Sequence, residues 1–151
     1  MAQVAGERID EMQDPELAID RGYEYYRRMG YSEAWINERM KGKDTRKALT
    51  DEWQRTGVST GQQFATLTDI ITQEWSGMTT RQYKNFKGLK KENLRDHMTR
   101  TESVLNTLAD AAATELSQKI DPKGFTEQKN VAKRGGKVAA TARKELEKQL
   151  G

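Results

Sequence analysis

One histidine, no cysteine and a scatter of carboxylates are the raw material for chemistry in this sequence. His97 stands between Asp96 and Met98. As a metal ligand it would need a second nitrogen or a facing carboxylate, and no His-x-x-x-His or His-x-x-Glu pair occurs. As a general base it has candidate neighbours in sequence but no nucleophile at helical spacing apart from Thr101. Capping or packing near a helix start is the plainer role. Asp51 and Glu52 are neighbours, and i, i+1 positions diverge on a helix, so they make no carboxylate dyad. Glu92 and Asp96 fit one helical face, but Lys90, Lys91 and Arg95 surround them and point to salt bridges. Gly135-Gly136 lacks the spacing and the preceding strand of a phosphate loop. These features predict a protein with no catalytic residues, no metal site and no cofactor.

The basic residues are more informative. Arg81, Lys84, Lys87, Lys90, Lys91, Arg95 and Arg100 fall within residues 81–100, with Tyr83, Phe86 and His97 interleaved. A second cluster holds Lys133, Arg134 and Lys137, with Arg143 and Lys144 beyond it. Lys and Arg supply phosphate contacts in nucleic-acid binding, and aromatic rings stack on unpaired bases. The plainer reading of Tyr83 and Phe86, at i, i+3, is the buried face of a short helix. Ser76-Gly77-Met78-Thr79 has the look of a helix-turn-helix turn, a pattern that arises by chance in any helical protein.

The elements that would position these residues read as helices, about seven of them, in an all-α domain. Asp14-Pro15-Glu16 predicts a helix start, with Ile19, Tyr23 and Tyr26 on one face and Gly30 as its stop. Ser32 opens a second helix carrying Ile36 and Met40, ended by Gly42. Asp44 opens a third with Leu49 and Trp53, ended by Gly57. Thr60 opens a fourth with Phe64, Leu67, Ile71 and Trp75, closed at Gly77. Thr79-x-x-Gln82 and Thr99-x-x-Glu102 are capping boxes. The first starts a short helix that stops at Gly88. The second starts a long one striped by Leu105, Leu108, Ala109, Ala112 and Leu116. After the turn Asp121-Pro122-Lys123-Gly124, a last helix from about Thr126 turns Val131, Val138, Ala142 and Leu146 inward. At Gly135-Gly136 either that helix breaks or another backbone approaches closely. Trp35, Trp53 and Trp75 read as core anchors.

The 151 residues fit one domain, with residues 1–14 as a loose tail or linker and 15–151 as the helical body. Apolar residues are 34% and charged residues 32%, a polar surface over a thin core. The absence of cysteine excludes disulfides and thiolate metal sites and points to a reducing, cytoplasmic setting. No apolar run nears the roughly 20 residues that span a bilayer, so no membrane partner is expected. Residues 1–75 hold 10 Lys/Arg against 14 Asp/Glu, and residues 76–151 hold 16 against 9. That split suggests a polyanion-facing side or a homodimer whose copies attract head to tail, the alternative being two ordinary solvated faces.

Several runs resemble a family. They are Leu49-Thr50-Asp51-Glu52-Trp53-Gln54-Arg55, then Gly57-Val58, then Phe64-Ala65-x-Leu67-Thr68, then Lys87 through Thr99 (KGLKKENLRDHMT). In order, they resemble the C-terminal region of phage antirepressor proteins with a BRO-type N-terminal domain. The Lys87–Thr99 run is also similar to the C-terminal half of DNA-damage-inducible protein D, as are Gly124-Phe125-Thr126-Glu127 and Gly135 through Arg143. The resemblance covers about residues 20–150. In that family the BRO domain is the expected DNA-contacting part, and this sequence carries none. The resemblance therefore implies a non-enzymatic regulatory piece that engages a protein partner, either a repressor or a recombination protein. The basic segments keep open a nucleic-acid-binding module instead, and a phage-encoded inhibitor of a host defence complex is a third reading.

Overall fold

Helices begin where a side chain satisfies the first free N–H groups. Thr60, Thr79 and Thr99 each accept a hydrogen bond from the backbone N–H three residues on, while Gln63, Gln82 and Glu102 reach back to the cap's own N–H. Ser32 caps in the same way by accepting from Trp35 N. At the other end, Gly77 takes a φ of 81° and donates to the Gln73 carbonyl, a left-handed stop that glycine adopts without steric cost.

The computed structural model describes residues 22–151. They form α1 (Tyr23–Arg28), α2 (Glu33–Arg55), α3 (Gly61–Ser76), α4 (Thr80–Phe86), α5 (Arg100–Ile120) and α6 (Gly124–Leu150), with a 3-10 turn at Leu94–His97. There is no strand among the described residues, so the all-α expectation holds for them. None of the described helices is long and apolar enough to cross a membrane. The expected tail over residues 1–14, the Asp14-Pro15-Glu16 cap and Ile19 lie outside the described residues.

The described helices number six, against the seven expected. Gly42 does not end a helix and Asp44 does not start one, because α2 runs through both for 23 residues. A Cβ at Gly42 would sit 3.2 Å from Thr107 Oγ1, so glycine there lets α5 lie close across α2.

The helices pack chiefly as α5 on α6, α6 on α3, and α2 on α5. Leu49, Trp53, Leu67, Ile71, Trp75, Ala109, Ala113 and Ala139 meet at the centre. A second cluster joins Tyr26, Trp35 and Ile36, so all three tryptophans are buried. Two expected stripes are rotated. On α5, Ala113 and Ser117 are buried while Leu108 is 37% exposed. On α6, Val131 is buried and Ala142 partly so, but Val138 and Leu146 are exposed. The cause on α6 is its contact face. The helix does not break at Gly135-Gly136. A Cβ on Gly135 would fall 2.7 Å from Ala113 N, and one on Gly136 would fall 2.9 Å from the Ile71 carbonyl oxygen. Adjacent glycines thus admit the backbones of α5 and α3 on neighbouring faces of α6, which turns Val138 outward.

Candidate functional site

The chain between α4 and α5 is not helical for most of its length, and two braces hold it. At its base, Glu102 of α5 caps its own helix, lies 2.9 Å from Lys87 Nζ and accepts a hydrogen bond from the Tyr83 hydroxyl. Burial pushes the Glu102 carboxyl above its usual range, and the Thr99 N–H works against that shift. Toward its end, Asp96 is buried at 7% exposure. Its Oδ1 accepts from Arg39 Nε at 3.1 Å and Nη2 at 2.9 Å, and from the Tyr26 hydroxyl at 2.7 Å. The Tyr31 hydroxyl donates to the Asp96 carbonyl, and Trp35 Nε1 donates to the Met98 carbonyl at 2.9 Å. Burial and the nearby Asp96 charge raise the Tyr31 hydroxyl above its usual range.

Between this braced segment and α3 lies a cleft of about 560 Å³. One wall is Phe64, Ala65, Thr68, Asp69 and Thr72 of α3. Another is Thr80, Arg81, Lys84 and Asn85 of α4. The third is Leu89 to Arg95 with Met98. Arg46 of α2 and Asn106 of α5 reach it from below. Arg46 is 2% exposed, stacks 4.9 Å from the Trp53 ring and donates to Thr68 Oγ1. Beneath the cleft, the buried Asp110 lies 4.0 Å from Arg46 Nη1 and 3.9 Å from Arg95 Nη2. Six basic side chains therefore line the cleft, against the two carboxylates Asp69 and Glu92. Both carboxylates also accept backbone N–H groups, from Thr80 and Lys90 respectively.

The fold brings together Arg81, Lys84, Lys90, Lys91 and Arg95, as lining residues of one cleft. Lys87 is not among them, being held on Glu102 and 5.7 Å from the Tyr83 ring. Lys133, Arg134 and Lys137 are exposed on α6 and line no part of the cleft. His97 is exposed at the end of the 3-10 turn and neither caps nor packs, because Thr99 caps α5. The chain is extended at Met98, so His97 and Thr101 do not share a helix face. Glu92 and Asp96 do not share one either: Glu92 is exposed and Asp96 is buried on Arg39. Tyr83 is buried as the i, i+3 pattern suggests, but Phe86 is 77% exposed. Among the described residues, no group of His, Asp and Glu side chains is placed to hold a metal ion.

Sequence reading missed Arg39, Arg46 and Asp110, and it gave Asp96 salt bridges with its sequence neighbours where the fold pairs it with Arg39. The signal was present for the arginines, because Ile36, Arg39, Arg46, Leu49 and Trp53 follow one helical stripe and two of its positions are charged. No protein-family model matches the chain, and no curated protein matches it.

Proposed function

We propose that this domain is a non-enzymatic regulatory module that binds nucleic acid in the basic cleft. The observation that carries the reading is the convergence of Arg81, Lys84, Lys90 and Lys91 on one hollow, drawn from α4 and the braced segment, with Arg46 of α2 and Arg95 behind them on Asp110. Cations gathered on one face attract a phosphate backbone, and their binding releases counterions from it. Resemblance to the C-terminal region of phage antirepressors and of DNA-damage-inducible protein D supports a regulatory setting, and the cysteine-free composition fits the cytoplasm.

Fluorescence anisotropy with a labelled oligonucleotide tests it. Affinity should fall steeply with salt. Arg81→Ala with Lys84→Ala, or Lys90→Ala with Lys91→Ala, should weaken binding at least tenfold, while Lys133→Ala with Lys137→Ala should change it little. No detectable binding at low salt, or equal loss from both sets, would falsify the reading.

A protein-engaging regulator of the antirepressor kind is the second reading. The exposed Val104 and Leu108, one turn apart on α5, favour it, since paired apolar side chains on a helix face suit a partner's groove. A purified repressor or recombination protein captured by the wild-type chain but not by Val104→Glu with Leu108→Glu would support it. Capture that is indifferent to those changes would sink it.

A further inference from the structure

The basic cleft has a counterpart of opposite charge in its own chain. In its lining, Arg81, Lys90 and Lys91 are exposed and Lys84 is half-buried. Among the described residues, no carboxylate forms an ion pair with any of these four. Lys87, by contrast, is held on Glu102, and Arg95 lies 3.9 Å from Asp110. The two carboxylates of the lining, Asp69 and Glu92, accept backbone N–H groups instead.

The matching excess of acid stands in residues 1–21, which hold 2 Lys/Arg against 6 Asp/Glu. Glu7, Asp10, Glu11, Asp14 and Glu16 fall close together, with Arg8 as the one base among them. Residues 22–75 are balanced, with 8 of each sign. The acidic run joins the described fold beside the cleft. Gly22 accepts the Tyr26 N–H, and the Tyr26 hydroxyl lies 2.7 Å from Asp96, the neighbour of the lining residue Arg95. An extended chain spans about 3.3–3.6 Å per residue, so Glu16 reaches up to about 20 Å from Gly22 and Glu7 up to about 50 Å. A short tether also keeps its segment at an effective concentration in the millimolar range. A contact too weak to form between separate chains is therefore strong enough within one.

We infer that the acidic run Glu7–Glu16 docks in the basic cleft of its own chain and competes there with nucleic acid. The contact stands without the nucleic-acid reading above, and its regulatory consequence rests on that reading.

Nuclear magnetic resonance on the full chain tests it, with a nitroxide attached at Gln13→Cys in a sequence that has no other cysteine. At low salt the nitroxide should broaden the backbone amides of Arg81, Lys84 and Lys90 more than those of Lys133 and Lys137, which are exposed on α6 and line no part of the cleft. The difference should vanish near 1 M salt, where the Debye length is about 3 Å, and on adding the oligonucleotide. Joint replacement Asp10→Asn, Glu11→Gln, Asp14→Asn and Glu16→Gln should also abolish it, and should tighten oligonucleotide binding about tenfold. Asp51→Asn, Glu115→Gln, Glu145→Gln and Glu147→Gln together remove the same charge from exposed positions outside the cleft and should tighten binding less than about threefold. The inference is overturned if no amide of the cleft broadens, or if Lys133 and Lys137 broaden equally. It is also overturned if a nitroxide-bearing chain broadens a separate isotope-labelled chain to the same extent, since the acidic run would then belong to a second copy. Equal affinity of the two charge variants, or broadening that persists with the oligonucleotide bound, overturns the competition. Failure of every strand to bind at low salt, with the broadening intact, overturns the nucleic-acid reading and the competition while the contact stands.

Discussion

Asp96 ties the far wall of the cleft to the first two helices. Its carboxylate meets Arg39 and Tyr26 in a setting from which water is excluded, with both charged side chains nearly fully buried. Removing one member of such a pair leaves the other charge buried, a loss of about 3–5 kcal/mol. Asp96→Asn should therefore lower stability by about that amount in urea denaturation, whereas joint replacement of Asp96 by Leu and Arg39 by Met should recover most of it. A cost below about 1 kcal/mol for Asp96→Asn would show that the pair does not hold the wall. Part of this was legible beforehand. Arg39 and Arg46 stand at positions where the helical period calls for apolar residues, so their burial is readable from spacing alone. Their partners were not, because Asp96 is 57 residues from Arg39 and only the packed fold brings the two together. The cations of the cleft were legible as a cluster in sequence. Their sorting was not: Lys87 belongs to a brace and His97 to open solvent, since the chain leaves the helical period after Gly88.

At the scale of elements, capping chemistry was the readable part. Three capping boxes set the starts of α3, α4 and α5 where Thr and Gln or Glu stand three residues apart. Glycine was the ambiguous signal. Gly77 ends a helix, whereas Gly42, Gly135 and Gly136 lie inside helices because another element comes too close for a side chain. Sequence alone does not separate these uses, since one depends on local backbone angles and the other on distant contacts. The packing use makes a direct prediction. Alanine in an open helix position gains about 1 kcal/mol over glycine. At Gly136 the added Cβ would meet Glu74 Cβ at 2.7 Å and the Ile71 carbonyl at 2.9 Å, and at Gly135 it would meet the Ala113 backbone. Overpacking of this kind costs about 1–3 kcal/mol and outweighs the propensity gain. Gly135→Ala and Gly136→Ala should each lower the denaturation midpoint, while Lys137→Ala next to them should stay within about 0.5 kcal/mol of wild type. Stabilisation by either glycine replacement would mean that α6 does not cross its neighbours so closely.

For the whole molecule, the division of charge differs from a simple acidic half and basic half. Residues 1–21 hold 2 Lys/Arg against 6 Asp/Glu, and residues 22–75 hold 8 of each. The basic excess thus belongs to the helical body, and a homodimer held by charge would depend on the first 21 residues. Light scattering should then show a dimer at low salt that dissociates near 1 M, where the Debye length falls to about 3 Å. A monomer at every salt concentration rules that dimer out. The body itself is closed by a second polar network, which joins the end of α2 to the turn between α5 and α6. Arg55 places two nitrogens 2.9 Å from the Glu52 carboxylate and a third 2.9 Å from Asp121. Ser117 donates to Glu52, Gln128 Nε2 donates to Ser117 and to Thr56, and Gly124 N–H donates to the Thr56 carbonyl at 2.7 Å. Arg55 first, and then the Ser117 hydroxyl, hold the Glu52 carboxyl below its usual range despite its burial. Lys123 first, and then Arg55, do the same for Asp121. A carboxyl whose folded pKa is lowered adds stability that is present above its unfolded value, about 4.3 for Glu and 3.9 for Asp. That contribution is lost as pH falls through the lowered folded value. The contribution of Glu52 and Asp121 should therefore be nearly level from neutral pH to about 5 and drop below about 4.3, whereas the raised Glu102 carboxyl acts in the opposite sense, its contribution lost as pH rises through its folded value. Glu52→Gln should be less stable than wild type at neutral pH, and the gap should narrow as the wild-type carboxylate protonates in acid. If denaturation curves taken from pH 7 down to pH 3 run parallel for the two proteins, the Glu52–Arg55 pair does not close the fold.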